Sequence, residues 1–100
     1  MRYHSTGLPA PDEGELAAAD VDGRKVALAR VDGEVYAFAD ACTHMQCSLS
    51  GGDLEGRTVV CPCHLGTFDI ASGAVLSGPP PAPVQTWRAR VVDGTVEVEL

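Results

Sequence analysis

Lys25-Val26-Ala27-Leu28-Ala29-Arg30-Val31-Asp32-Gly33-Glu34-Val35-Tyr36-Ala37-Phe38-Ala39 is the stretch from which the fold class is read. A run of Val, Ala and Leu leads into Asp-Gly, and a run with Val, Tyr and Phe leads out of it. Asp-Gly readily supplies the two positive φ angles of a type I′ turn, the favoured link between antiparallel strands. The stretch therefore predicts a hairpin of Lys25–Val31 and Glu34–Ala39. Working outward, Asp22-Gly23 and Asp93-Gly94 repeat the turn signal. Around the latter, Trp87–Val92 and Thr95–Leu100 predict a second hairpin. Val96, Val98 and Leu100 alternate there with Thr95, Glu97 and Glu99, the pattern of a half-buried strand. Thr58-Val59-Val60 reads as a short strand running into Cys61.

Helix signals are poor. Glu15-Leu16-Ala17-Ala18-Ala19 has helical propensity, but Gly14 precedes it and β-branched Val21 and a turn follow. So short a helix is marginal alone, and strand or loop is preferred. Gly78-Pro79-Pro80-Pro81-Ala82-Pro83 favours an extended, polyproline-like run. Only 17 residues follow it, enough for one hairpin and too few for a second domain. It reads as a stiff surface loop within a single domain, residues 1–100. The sum is an all-β chain of short strands with one cysteine-rich insertion at about residues 40–73.

At 100 residues the core is modest, and a metal group or covalent tie would help to hold it. The composition is globular, with 45% hydrophobic and 21% charged residues. A net charge of −7 disfavours nucleic acid and anionic membranes and suits basic protein partners. No window approaches the roughly 18 apolar residues of a membrane span. Met1–Thr6 has no apolar signal-peptide core, so the expected compartment is the cytoplasm. Disulfides are uncommon there, and the four cysteines read first as metal ligands or redox groups.

All four cysteines and two of the three histidines fall in the insertion. They form two boxes, Cys42-Thr43-His44-Met45-Gln46-Cys47 and Cys61-Pro62-Cys63-His64. Each box offers a thiolate and an imidazole. Zinc accepts two Cys and two His tetrahedrally, so a zinc-stabilised interaction module is one reading. Structural zinc sites, however, usually take like pairs from each loop. Mixed pairs suit a two-iron cluster in which the cysteines hold one iron and the histidines the other.

The two boxes resemble the ligand boxes of the Rieske family. Val35-Tyr36-Ala37 before them, Gly66-Thr67-Phe68-Asp69 and Ser72-Gly73 after them, and the loop at Pro79–Pro83 extend the resemblance over essentially the whole chain. It implies a Rieske-type antiparallel β-sandwich with a small cluster-binding subdomain of two loops. It implies one 2Fe–2S cluster on Cys42, His44, Cys61 and His64. It also places Met45, Gln46 and Leu65 beside the exposed histidines, as cluster-shielding or docking residues.

Cys47 and Cys63 match positions where Rieske proteins of the cytochrome bc type carry a disulfide, a pair many small Rieske ferredoxins lack. The alternative is two buried thiols. High-potential relatives carry a serine and a tyrosine where this chain has Gly66 and Phe68. Losing two hydroxyl hydrogen bonds lowers the potential by something on the order of 100–250 mV. The expected value is in the lower half of the family span of about −150 to +300 mV.

The resemblance implies an electron-transfer protein rather than an enzyme. As a soluble ferredoxin it would pass electrons from a flavin reductase to a Rieske-type terminal oxygenase. Such oxygenases add a mononuclear iron held by two histidines and a carboxylate. Only His4 remains here after the boxes, so the chain cannot build that site. The alternative is a small Rieske subunit of a larger reductase, resembling that of assimilatory nitrite reductase.

Overall fold

In the computed structural model, which describes residues 2–41, 47–63, 66–78 and 82–100, the three Asp-Gly pairs turn as expected. Asp22, Asp32 and Asp93 have φ of 51°, 54° and 52°, and the glycines after them 79°, 80° and 81°. Two successive left-handed residues make a type I′ turn, whose twist matches that of the flanking strands. These turns join β2 (Leu16–Val21) to β3 (Arg24–Val31), β3 to β4 (Glu34–Ala39), and β10 (Ala89–Val92) to β11 (Thr95–Glu99). The other strands are β1 (Tyr3–Pro9), β5 (Asp53–Glu55), β6 (Thr58–Val60), β7 (Thr67–Asp69), β8 (Val75–Ser77) and β9 (Thr86–Trp87). A single 3-10 turn, Leu49–Gly51, is the only helical element among the described residues.

The strands form three antiparallel sheets, ordered β1-β11-β10, β2-β3-β4-β9 and β5-β6-β7-β8. The second sheet is the middle layer. Val26 and Leu28 of β3 face one way with Ala37, and pack on Val96 and Val98 of the first sheet. Ala27, Ala29 and Val31 face the other way with Phe38, and cluster with Val59 and Phe68 of the third and with Cys61 and Ile70 at its strand ends. Burial on both faces explains why residues 26–29 are apolar without alternation. Strand β11 is covered on one face only, and Val96 and Val98 are buried while their neighbours are half-exposed. Burying side chains such as Leu28 and Phe38 contributes roughly 2–3 kcal/mol each.

Two features differ from the sequence reading. Trp87–Val92 is not one strand. Thr86 and Trp87 pair with Phe38 and Ala37, whereas Ala89–Val92 pairs with β11. The chain turns a corner between two sheets at Arg88, and a local apolar pattern carries no record of which sheet it joins. Strand β1 was not legible either. It pairs with β11 from the opposite end of the chain, through a bulge between Ser5 and Pro9, and Thr6 Oγ1 donates to the Val96 carbonyl at 2.8 Å. The segment Leu16–Val21 is strand, as preferred over helix.

Candidate metal centre

The cysteine-rich region is more than two loops, because it rests on the third sheet. Strand β6 ends at Val60 and hands the chain to Cys61, whose side chain is fully buried against Val59, Phe68 and Leu49. The chain then turns and comes back into β7. Cys61 N–H donates to the Gly66 carbonyl at 2.7 Å, which closes that turn.

Cys47 and Cys63 are joined by a disulfide with Cα atoms 6.4 Å apart. Cys47 is half-buried against the core and Cys63 is exposed. The bridge links the end of the first box to the middle of the second. It uses two of the four cysteines.

The segment after the first box lies directly on the strand before the second. A Cβ on Gly52 would stand 1.9 Å from the Val60 carbonyl oxygen and 3.2 Å from Pro62 Cδ. Gly52 has φ −92°, so its place depends on close approach rather than on left-handed backbone. Gly56, by contrast, has φ 58° and serves the β5–β6 turn. Leu49 of the 3-10 turn is fully buried. Ser50 N–H and Oγ–H both donate to the Asp40 carboxylate, each at 2.7 Å.

Gly66 is buried and Phe68 is fully buried, so the positions after the second box present hydrogen and an aromatic ring where a hydroxyl would be needed to donate. His4 lies in β1 opposite Val98, away from the boxes. Cys42, His44, Met45, Gln46, His64 and Leu65, together with Pro79–Pro81 of the proline-rich run, lie outside the described residues. Sequence reasoning missed Asp40 and Ser50. An acidic residue beside a ligand box and a serine ten positions later carry no local sign of meeting.

Two ionisations are shifted. Glu13 receives the Asp32 and Gly33 backbone N–H groups at 2.6 and 2.9 Å, and these hold its carboxyl below the ordinary range. The Arg57 guanidinium is raised by a hydrogen bond to Tyr36, with further support from Asp69.

The Rieske [2Fe-2S] domain model matches residues 3–88. The chain belongs to the Rieske family. This Rieske chain is similar to the ferredoxin component of the naphthalene 1,2-dioxygenase system of Pseudomonas putida, with 36% identity over 88 residues covering 88% of this chain and 85% of the relative. It is 42% identical over 99 residues to the anthranilate 1,2-dioxygenase ferredoxin subunit of Burkholderia cepacia, covering 98% and 92%. Among solved structures it superposes on a chain from the complex of reduced oxygenase and oxidized ferredoxin in carbazole 1,9a-dioxygenase. The TM-score is 0.85 and the identity 32%, over 92% of the Rieske chain and 98% of its counterpart. Among its described residues no helix is long and apolar enough to cross a membrane.

The donor set fits the cluster that defines the family. With Cys47 and Cys63 bonded to each other, the sequence has two further cysteines, Cys42 and Cys61. They match in number the two cysteines a Rieske cluster takes, alongside two histidines.

Proposed function

We propose that this chain is a one-electron carrier holding a single 2Fe–2S cluster on Cys42, His44, Cys61 and His64. The observation that carries the ligand assignment is the Cys47–Cys63 bridge, which removes two cysteines from the candidates and ties the two boxes together. The cluster supplies one reversible electron when bound. The protein holds the sulfur of Cys61 in a dry, apolar setting and leaves the bridge end of the second box at the surface.

Relatives named as ferredoxin components of dioxygenase systems support a place between a flavin reductase and a terminal oxygenase. The complex of an oxygenase with a ferredoxin supports the second of those contacts. Met45, Gln46 and Leu65, next to the histidines in sequence, are the docking residues in this reading, and the cytoplasm is the compartment. Gly66 and the buried Phe68 ring offer no hydroxyl donor, which keeps the potential in the lower half of the Rieske span.

The test is direct. Purified protein should be coloured, contain iron and acid-labile sulfide, and give a Rieske-type electron paramagnetic resonance signal once reduced. It should then accept electrons from a flavin reductase and deliver them to a Rieske-type oxygenase. A colourless protein with one zinc per chain would end the proposal. Film voltammetry at neutral pH should give a value below about +150 mV, and a higher value removes the role given to Gly66 and Phe68.

A further inference from the structure

Asp40 is the only buried charged side chain among the described residues, with 5% of its surface exposed. It stands at the end of the middle sheet, two positions before Cys42. Its own N–H donates to the Lys25 carbonyl at 3.0 Å, which anchors its backbone to the sheet. A carboxylate is not placed in such a setting without hydrogen bonds, because burial of an unpaired charge is costly. Among the described residues its carboxylate is met by Ser50, at 2.7 Å from the amide and 2.7 Å from the hydroxyl.

Those bonds fall on a 3-10 turn whose own Ser48 makes no side-chain cap. The Asp40 carboxylate takes the amide that a capping residue would take, from ten positions upstream. The turn so held follows Cys47 closely in the chain and lies against the second box. Leu49 plugs the core beside Cys61, Cys47 is bridged to Cys63, and Gly52 abuts Val60 and Pro62.

We propose that Asp40 is the positioning residue of the cluster seat: by clamping Ser50 it holds the 3-10 turn, with Cys47 before it and Gly52 after it, at a set distance from the second box. This rests on the ligand assignment given above. The residue acts through the backbone and not by contact with iron.

Three variants and a control test it on the full chain. Asp40→Ala removes both bonds, Ser50→Ala removes only the hydroxyl bond, and Asp40→Asn keeps the shape and can still accept from Ser50 N–H and donate to its hydroxyl. Val96→Ala destabilises the opposite core without touching the segment. Cluster lifetime in air is followed by visible absorbance, the reduced cluster by paramagnetic resonance, and global stability by thermal melting. Asp40→Ala is expected to shorten the lifetime by at least about tenfold, since one charge-assisted hydrogen bond alone is worth about tenfold in rate and two are lost. Its resonance should broaden. Ser50→Ala should fall between it and wild type, and Asp40→Asn should recover most of the lifetime. Val96→Ala should lower the melting midpoint yet leave lifetime within about twofold, since distant sites act independently.

Wild-type lifetime and line shape in Asp40→Ala would overturn the inference. So would a lifetime that merely tracks melting across all four variants. If wild type itself binds no iron, the ligand assignment fails and takes this inference with it, a result separable from the others because it appears before any substitution is made.

Discussion

Gly73 shows how a single position can govern where a segment lies. Its φ is +81°, a region costly for any residue with a Cβ. A Cβ there would stand 2.0 Å from the Val84 carbonyl oxygen. Gly73 N–H donates to the Asp69 carbonyl at 2.7 Å, and its own carbonyl accepts from Val84 N–H at 2.9 Å. Gly73 thus pins the chain where it returns from the proline-rich run. Gly73→Ala should cost about 2–4 kcal/mol, from backbone strain and a clash that cannot relax. Urea unfolding measures this, and a loss below about 0.5 kcal/mol, the size of an ordinary surface effect, contradicts it. Glu13 acts on a neighbouring scale. Its carboxylate binds the paired amides of the β3–β4 turn, which hold it below its ordinary value of 4.5. A depressed folded value means stability that is present above the unfolded value and is lost as pH falls through the folded one. Glu13→Gln should therefore lower the melting midpoint at neutral pH. The gap to wild type should close as the pH drops below 4.5. A gap that stays constant down the whole acid range would remove the linkage. The Asp-Gly turns were legible because both residues needed for the turn are adjacent in sequence. The Glu13 clamp was not, because its partners lie 19 and 20 positions away.

At the scale of elements, β3 and β4 are the part most fully legible from sequence. Their apolar runs and the Asp-Gly between them specify the pairing, and the observed register places Ala27 opposite Phe38 and Leu28 opposite Ala37. The third sheet is the reverse case apart from β6, whose Thr58-Val59-Val60 was read as a strand. Its strands are three residues each, too short for periodicity to speak. They exist because they pair with one another and cover one face of the middle sheet. The bridge closes a loop over this sheet with a sequence separation of 16. In the chain-entropy model such a tie is worth on the order of 3 kcal/mol. A Cys47→Ser, Cys63→Ser double variant should accordingly unfold at lower denaturant and lose its cluster faster. Alkylation of denatured, unreduced wild type should leave both sulfurs unlabelled. An unchanged cluster lifetime together with labelling of both cysteines in wild type would show that no bridge forms.

Across the whole molecule, three layers are stacked with the most apolar sheet in the centre, and the sheet beside the second box forms one outer layer. The molecule carries a net charge of −7. Long-range attraction then favours basic docking faces and is screened beyond a Debye length of about 8 Å at physiological salt. The association rate with an oxygenase of basic docking surface should fall as salt rises, with dissociation much less affected. Stopped-flow electron transfer at increasing ionic strength measures this, and a rate indifferent to salt would show that the acidic surface does not steer.

What the amino-acid sequence determined by itself was whatever depends on residues close together in the chain: the type I′ turns, the half-buried β11, the two mixed Cys/His boxes and, through them, the family. Through the resemblance it also pointed to a Cys47–Cys63 bond, although proximity of loops is not a property of spacing. Only the tertiary structure brought those sulfurs together, stacked the sheets and gave Asp40 its partner. The reason is physical. A turn is settled by the φ angles of adjacent residues, whereas a buried carboxylate, a bridge and a glycine without room for a Cβ are settled by what folding brings against them.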